Sequence, residues 1–293
     1  MPTLVLAVLL AAVLGFLCTG VQARLRKIFQ KRQALIWIAP FLLTGVFGAA
    51  ALLAGAWSLA LCGLVLGYTM LPVLCCWLAR ALPGDRPSLL DLLAILLIWL
   101  PLEFAAGARL VPRVAQGYLH SVAYGIAILL GLVVFLSFRG FAGLKYNLPR
   151  RGSDGWLPLA GFAISAPVLI ALGMAVGFIP APHWPAQRAG AIVAAVPVIF
   201  IGTALPEEIL FRSLIQNLLM LRFGTNWRTL CVASLIFGCA HLDNGPQAVP
   251  NWRYAIVATV AGVAYGAVFQ RASTVLSSAT LHMMVDWTKH YFF

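Results

Sequence analysis

Long apolar stretches separated by short polar connections recur along almost the whole chain. An α-helix needs about 20 residues to cross the ~30 Å hydrocarbon core of a bilayer. We predict nine or ten transmembrane helices, in the segments 4–22, 34–57, 59–79, 89–108, 118–138, 156–178, 189–221, 227–242, 254–270 and 273–292. The alternating pattern of barrel strands is absent from these segments, and spanning backbone must satisfy its own hydrogen bonds. The pattern therefore predicts an all-α fold.

The composition agrees with this pattern. Of 293 residues, 62% are hydrophobic and 10% are charged, and the mean hydropathy is +0.96. Soluble domains carry about 25% charged residues. The chain is therefore predicted to be a polytopic integral membrane protein in contact with the lipid bilayer. No linker or internal repeat divides it, so we treat it as a single membrane domain.

The formal net charge of +12 does not indicate nucleic-acid binding, and the distribution of the basic residues predicts the membrane topology instead. The basic residues are scattered over short connections instead of being gathered on one face. Most of them fall in the odd-numbered connections, whereas the even-numbered ones hold few, among them Arg109 and Arg113. By the positive-inside rule the N-terminus is predicted outside the plasma membrane. The longest polar connection, 139–155, is either an interfacial segment resting on headgroups or a plain loop.

The eight acidic residues divide into two groups. Four are predicted in or beside loops and turns, and the other four lie inside apolar runs, where a charge is costly. An ionisable group inside the bilayer is by default a functional hypothesis. The predicted loop residues are Asp85, Asp91, Asp154 and Asp243, and the intramembrane residues are Glu103, Glu207, Glu208 and Asp286.

The segment LPEEILFRS, residues 205–213, carries two of these glutamates. Glu208 and Arg212 are four residues apart, so on a helix they share a face and can pair. Glu207 points about 100° away and needs another partner. Pro206 lacks an N–H group, so a kink is expected there.

Two later apolar segments offer such partners. FGCAH ends at His241, and LHMMVD contains His282 and Asp286, four residues apart. Glu208, His241 and His282 lie 14, 13 and 11 residues from the arginine that marks the predicted cytoplasmic end of their helices. These separations correspond to about 21, 20 and 17 Å of helix. The polar side chains can therefore meet at one depth.

Together these motifs resemble a known family. Glu-Glu-xxx-Arg (207–212), Phe-xxx-His (237–241) and His-xxx-Asp (282–286) are similar, in order and spacing, to the three motifs of the CPBP intramembrane endopeptidases. These proteins are relatives of the type II CAAX prenyl protease, formerly classed as metalloproteases and now as glutamic proteases. The resemblance covers 189–293, which it implies is a catalytic transmembrane core. Residues 1–188 are N-terminal transmembrane helices and share only that character.

The resemblance implies roles for the first two motifs. Glu207 would be the general base that activates water, and His241 would help to hold that water. Glu208 and Arg212 would be the pair that fixes this helix and tunes Glu207. Peptide hydrolysis requires both an activated water and stabilisation of the developing oxyanion.

The third motif would supply the oxyanion site, from His282 and residue 286. Many members of the family carry Asn where this chain has Asp286. An ionised aspartate only accepts hydrogen bonds, so it cannot replace an amide donor. We expect Asp286 either to orient His282 and favour its protonated form, or to be protonated itself.

A zinc site is an alternative, because two glutamates and two histidines can supply three ligands that leave a position for water. The HExxH spacing of zincins is absent, so no cofactor is expected and chelators should leave activity intact. Structural interpretations also stand. Glu208 and Arg212 could form a purely structural ion pair, His241 and His282 could be helix–helix contacts, and Phe237 is expected to be packing.

The sequence thus predicts an intramembrane endopeptidase that cleaves a membrane-associated protein or peptide. Its site would open toward the cytoplasmic leaflet. The alternatives are a zinc-dependent version of the same protease, a non-catalytic immunity or scaffold protein, and a proton-coupled transporter. The sequence does not indicate an oligomeric state.

Overall fold

The computed structural model describes residues 2–82, 85–103, 116–244 and 249–293, and all regular secondary structure in these ranges is helical. The predicted all-α fold is confirmed. A 3₁₀ turn covers Gln33–Trp37, and a π-helix covers Leu132–Phe138. The helices are α1 Pro2–Gly15, α2 Thr19–Lys31, α3 Ile38–Leu53, α4 Leu59–Ala79, α5 Leu89–Glu103, α6 Gln116–Gly131, α7 Ser153–Ala175, α8 Ala189–Phe223, α9 Trp227–Cys239, α10 Trp252–Arg271 and α11 Leu276–Phe292.

The chain is a multi-pass membrane protein, for which nine or ten spans were predicted. Within the described ranges, six helices are long and apolar enough to cross a bilayer, or seven if the bent pair α1–α2 is one span. The other helices, α5, α9 and α11, have 15, 13 and 17 described residues. For α9 and α11, the fold places residues 240–242 and 273–275, which were predicted as parts of the spans, in turns or bends.

The first predicted segment, 4–22, does not form a single helix. The chain breaks after Gly15, and α2 leaves at 85° to the preceding helix. Of the five basic residues between the first two predicted segments, four lie on α2, which is amphipathic in sequence, and Arg32 is its C-cap. Three sequence predictions fall outside the described residues: the end of the fourth segment at 104–108, the pair Arg109 and Arg113 in the charge count, and 245–248 in the turn before α10.

The helices form two compact units, Met1–Leu144 and Lys145–Phe293, called here the N-terminal and C-terminal units. The division at 188/189, which rests on the motifs, stays a prediction. In the N-terminal unit α4 packs against α3 and α5, and α6 packs against α1 and α3. Its interior is filled by large apolar side chains such as Phe47, Ile98 and Phe135, each at most 1% exposed.

An ion pair is buried in the N-terminal unit. Asp91, which was predicted in or beside a loop, lies in the first turn of α5, directly after that loop, and is fully buried. Arg139 donates to its two oxygens over 2.7 and 3.0 Å. The backbone N–H and the hydroxyl of Ser88 donate to it over 2.8 Å each. Ser88 and Asp91 therefore form a capping box, whose carboxylate also neutralises a buried arginine.

In the C-terminal unit the closest helix contact joins α9 to α10. A Cβ atom on Gly238 would lie 1.9 Å from Thr259 Oγ1 and 2.6 Å from the Ala255 carbonyl oxygen. Such an approach requires a residue without a side chain. Gly262 and Gly266 of α10 also lie against α9 and α8.

The connection 139–155 does not rest on headgroups as an interfacial segment would. Its apolar residues Phe141, Leu144 and Tyr146 are each 1% exposed. They point into protein because aromatic rings of this size gain most when they are removed from both water and lipid headgroups. Burial also raises the pKa of the Tyr146 hydroxyl. The interfacial alternative is therefore wrong for these side chains.

The same connection holds the turn between α10 and α11 in place. Lys145 donates to the carbonyl groups of Phe269 and Gln270 at the C-terminal end of α10, over 2.7 and 3.1 Å. Asp154, also predicted in or beside a loop, is buried in the first turn of α7, directly after the loop, and accepts from the backbone N–H of Ser273 over 2.7 Å. These bonds satisfy helix ends that would otherwise be unpaired. They set the position from which α11 begins.

Candidate active site

Helix α8 changes its hydrogen-bond pattern along its length. It stays helical through Pro206, where the missing N–H group removes one bond of the α pattern. Wider π turns on both sides accommodate that loss, and such turns are common at functional sites. The successive segments are α-helical Ala189–Ile199, π-helical Phe200–Ala204, α-helical Leu205–Glu208, π-helical Ile209–Gln216 and α-helical Asn217–Phe223.

The two adjacent glutamates of α8 have different environments. Glu208 is fully buried, whereas the side chain of Glu207 is 22% exposed. Consecutive residues of a helix point about 100° apart, so only one of the two can face the arginine on the same helix. Glu207 is the one that reaches a partly open space.

Arg212 forms the predicted pair with Glu208, with Nε 3.1 Å from Oε2. The guanidinium carbon lies 4.7 Å from the ring centre of Phe237 and 5.8 Å from that of Tyr265. Among the described residues its Nη1 and Nη2 atoms have no hydrogen-bond acceptor. The aromatic faces therefore provide the remaining stabilisation of this buried cation.

His282 lies between carboxylates. Its Nδ1 atom is 3.2 Å from Glu208 Oε1, and its Nε2 atom is 3.4 Å from Asp286 Oδ2 and 3.9 Å from Glu207 Oε2. The ring of Tyr265 stacks on it at 4.5 Å with an interplanar angle of 22°. Both ring nitrogens thus face acceptors, which is the arrangement that a doubly protonated imidazole requires.

His241 follows the C-terminal end of α9 and is 6% exposed. Its Nδ1 atom lies 2.8 Å from the carbonyl oxygen of Phe237, and a carbonyl can only accept. The Nδ1 atom is therefore the protonated one in a neutral ring. The Nε2 atom lies 3.9 Å from Glu207 Oε2.

The structure brings all six predicted side chains into one connected cluster. Glu208 joins Arg212 to His282, and His282 joins Asp286 to Glu207. Glu207 in turn approaches both histidines from the same oxygen atom at the same distance. Two helices, α8 and α11, and the turn after α9 therefore meet at a single point in the C-terminal unit.

The sequence of this region can be compared with known families. Residues 189–288 match the family model described as type II CAAX prenyl endopeptidase, Rce1-like. We call residues 189–288, which are similar to this family, the Rce1-like segment. The match confirms the resemblance on which the sequence prediction rested, and it covers about a third of the chain. No curated protein and no solved structure matches the chain.

The Rce1-like segment contains all six predicted side chains and runs from the start of α8 to Thr288 in α11. It therefore includes every helix that supplies a predicted site residue. Residues outside it, such as those of α7 and the last turn of α11, pack on the segment without being part of the matched region.

Aromatic side chains around the two histidines were not predicted as site residues. The ring of Tyr254 lies 4.5 Å from that of His241, and Tyr265 stacks on His282. Phe237, predicted as packing, is in edge contact with both imidazoles at 4.7 and 5.8 Å. These rings hold the imidazole planes in position. Phe237 belongs to the Phe-xxx-His motif, whereas the signal for Tyr254 and Tyr265 is an aromatic residue on a helix rich in small residues.

Lys289 was also missed. Its Nζ atom lies 4.5 Å from the ring centres of Phe178 and Tyr254. It is seven residues after His282 and three after Asp286, so it shares their face of α11. That spacing was a usable signal in the sequence.

The zinc alternative has no preformed site in the residues that the structure describes. There, no group of three or more His, Cys, Asp or Glu side chains is arranged to hold a metal ion. His282 has one ring nitrogen against Glu208 and the other against Asp286. A metal at this ring would have to displace one of those carboxylates, and chelation remains the direct test.

Proposed function

We propose that the protein is an intramembrane endopeptidase of the glutamic type, which hydrolyses a peptide bond in a membrane-associated protein or peptide. The observation that carries the proposal is the position of Glu207 Oε2, 3.9 Å from the Nε2 atoms of both His241 and His282. A partly exposed carboxylate thus faces two imidazoles at one point. The Rce1-like match over 189–288 supports protease chemistry at these residues.

Glu207 acts as the general base in this proposal. A separation of 3.9 Å is too long for a direct hydrogen bond and suits a water molecule that bridges the two groups. Neutral His241 donates from Nδ1 to the Phe237 carbonyl, so its Nε2 atom can accept a hydrogen bond from one O–H group of that water. Glu207 takes the proton of the other O–H group as the water oxygen attacks the scissile carbonyl, and this proton passes to the leaving amine nitrogen when the C–N bond breaks.

His282 stabilises the oxyanion. The cluster holds three carboxylates, Glu207, Glu208 and Asp286, and the guanidinium of Arg212, so a proton on His282 offsets part of the remaining negative charge. Buried charges require such compensation. With Nδ1 held by Glu208, the Nε2–H group is shared between Asp286 and the space beside Glu207. There it can donate to the oxygen of the tetrahedral intermediate.

The Glu208–Arg212 pair positions these groups. Glu208 binds Arg212 on its own helix and His282 on α11, so it joins the two helices that carry the proposed base and the proposed oxyanion donor. The aromatic rings around Arg212 exclude water from the pair. A positioning role of this kind keeps the reacting groups within the narrow range that catalysis needs.

The substitution Glu207→Gln tests the proposal. New N-termini of membrane proteins are identified by mass spectrometry in cells that express the wild type or the variant, and a peptide found in this way is then assayed with purified protein in liposomes. Because the amide cannot take a proton, kcat should fall about a thousandfold. The protein should remain folded.

Glu103→Gln is the matched control. Glu103 is an intramembrane glutamate of α5 that accepts a hydrogen bond from the Tyr124 hydroxyl over 3.1 Å. The same chemical change there should leave cleavage intact. Cleavage that persists in Glu207→Gln would contradict the protease proposal. Proton flux into liposomes that this substitution abolishes would favour a transporter, and a retained biological role without cleavage would favour a scaffold or immunity protein.

We further propose a plasma-membrane location with the N-terminus outside, on the basis of the charge distribution. Its support is the run of basic residues on α2 and in the later odd-numbered connections. Labelling of single cysteines in intact cells with an impermeant reagent tests this orientation.

A further inference from the structure

A small apolar cavity lies in the C-terminal unit between α7, α10 and α11. Its volume is about 50 Å³, and its walls include Phe162, Leu169, Phe178, Val257 and Val285. One water needs about 10–15 Å³ on the same measure, so the space matches a branched side chain of about four carbons. A lipid tail would require several times this volume.

One cation lines this cavity. The ammonium group of Lys289 is held over the rings of Phe178 and Tyr254, at 4.5 Å from each centre. Within the described part of the chain, no carboxylate lies within ion-pair distance of Lys289. Asp286, three residues earlier on α11, contacts His282 and attracts the ammonium group only from a longer distance. The two rings satisfy part of its charge and leave hydrogen-bond donors for an anion.

The cavity adjoins the proposed active site. Phe178 stacks on Tyr254 at 4.6 Å, and Tyr254 contacts His241 at 4.5 Å. Lys289 and Asp286 are three residues apart on the same face of α11, so their side chains are neighbours. A peptide that reaches His241 therefore has both the cation and the cavity within about two side chains of its scissile bond.

Much of this region lies outside the matched residues 189–288. Lys289 is one residue beyond the match, and the cavity walls from α7 and from Phe178 precede it. The region therefore borders the Rce1-like segment and lies largely outside the residues that match the family model. Features of this kind determine which substrate a common catalytic centre accepts.

We propose that Lys289 and the cavity form a substrate subsite, in which the cavity takes an apolar side chain and the Lys289 ammonium binds a carboxylate of the same peptide. This inference rests on the proposed function and names its substrate class as peptides with an apolar residue next to an acidic group. The carboxylate is either the C-terminus of the peptide or an Asp or Glu side chain. Lys289 acts here as a specificity-determining residue.

Binding of three labelled peptides tests the subsite. The first ends in Leu with a free C-terminal carboxylate, the second is its carboxamide, and the third is an amidated peptide that ends in Leu-Glu. Fluorescence anisotropy is measured on full-length Glu207→Gln protein in phosphatidylcholine nanodiscs. A charge-assisted contact should make the first peptide bind about tenfold more tightly than the second. Tight binding of the third would assign the anion to an acidic side chain.

Lys289→Gln should remove the preference for the carboxylate, while Lys289→Arg should retain it. Arg253→Gln is the matched control, because Arg253 is an exposed cation of α10 that contacts the Gly177 carbonyl and does not line the cavity. If Lys289→Gln does not fold, Lys289→Met, which keeps the apolar stem, replaces it. In otherwise wild-type enzyme the same loss should raise KM for the first peptide about tenfold and leave kcat unchanged.

Three outcomes would overturn the subsite: no preference for the carboxylate in the parent protein, equal weakening of all peptides by Lys289→Gln, or binding that requires anionic lipid instead of the peptide carboxylate. Because binding is measured without cleavage, the two proposals fail separately. A carboxylate preference without any cleavage by the wild type would contradict only the proposed function. Cleavage without a carboxylate preference would contradict only the subsite.

Discussion

Each of the two units buries a carboxylate–arginine pair, and the two pairs differ in how completely they are satisfied. In the N-terminal unit Arg139 makes two hydrogen bonds to Asp91, whose oxygens also accept from Ser88. In the C-terminal unit Arg212 makes one bond to Glu208, and its two terminal nitrogens have no acceptor among the described residues. The first pair is complete, whereas the second is part of a larger cluster.

The difference separates a structural ion pair from a site. The Asp91–Arg139 pair joins the start of α5 to the end of α6 and leaves no charge for chemistry. The Glu208–Arg212 pair supports His282, and through it a further carboxylate that faces a partly open space. A buried ion pair therefore points to function mainly when it contacts further ionisable groups in addition to the counter-ion that neutralises it.

The largest effect is expected when each pair is broken in turn. Asp91→Asn and Glu208→Gln each leave a buried arginine without its counter-ion, so each should lower the free energy of unfolding by about 3–5 kcal/mol. Thermal unfolding in detergent measures this loss. Only Glu208→Gln should also lower kcat of the folded fraction, because only Glu208 contacts His282.

Asp85→Asn is the control for charge removal, since Asp85 is exposed in the turn before α5. It should change neither stability nor cleavage. An equal loss of kcat in Asp91→Asn and Glu208→Gln would mean that the two pairs do not differ in function as proposed.

A smaller effect is expected from Asp286→Asn. The amide oxygen can still accept from His282, but one negative charge that stabilises the imidazolium is lost. We expect kcat to fall by up to about tenfold, the equivalent of one hydrogen bond to a charged group. Steady-state kinetics on the cleaved peptide measures the change. A loss as large as that of Glu207→Gln would instead place Asp286 among the reacting groups.

No effect is expected from metal removal. Strong chelators should leave the cleavage rate unchanged, since the proposed water is activated by Glu207 rather than by a bound ion. The assay is repeated with added zinc after dialysis. Activity that chelation abolishes and zinc restores would replace the glutamate mechanism with the zinc alternative.

The helical fold could be read from the sequence, because each apolar run must form its own backbone hydrogen bonds in lipid. The ends of the helices could not. The break after Gly15 and the placement of Asp91 and Asp154 in first turns depend on local capping bonds and on partners distant in sequence, such as Arg139 and Ser273. The hydropathy pattern along the chain carries no information about such bonds.

The candidate site divides in the same way. The Glu208–Arg212 and His282–Asp286 contacts follow from a separation of four residues on one helix, so the spacing alone predicted them. The contacts of Glu208 with His282 and of Glu207 with His241 join residues 74 and 34 positions apart. Those contacts depend on how α8, α9 and α11 pack.

By itself the sequence determined that this chain lies in a membrane, that it is helical, and that a few ionisable side chains sit where lipid would make them costly. These properties follow from local composition and from the helical repeat. Only the tertiary structure decided that His282 lies between two carboxylates and that Lys289 lines a cavity beside His241. Such positions depend on the distances between helices. Close packing at residues such as Gly238 sets these distances, and the sequence of a single helix does not determine them.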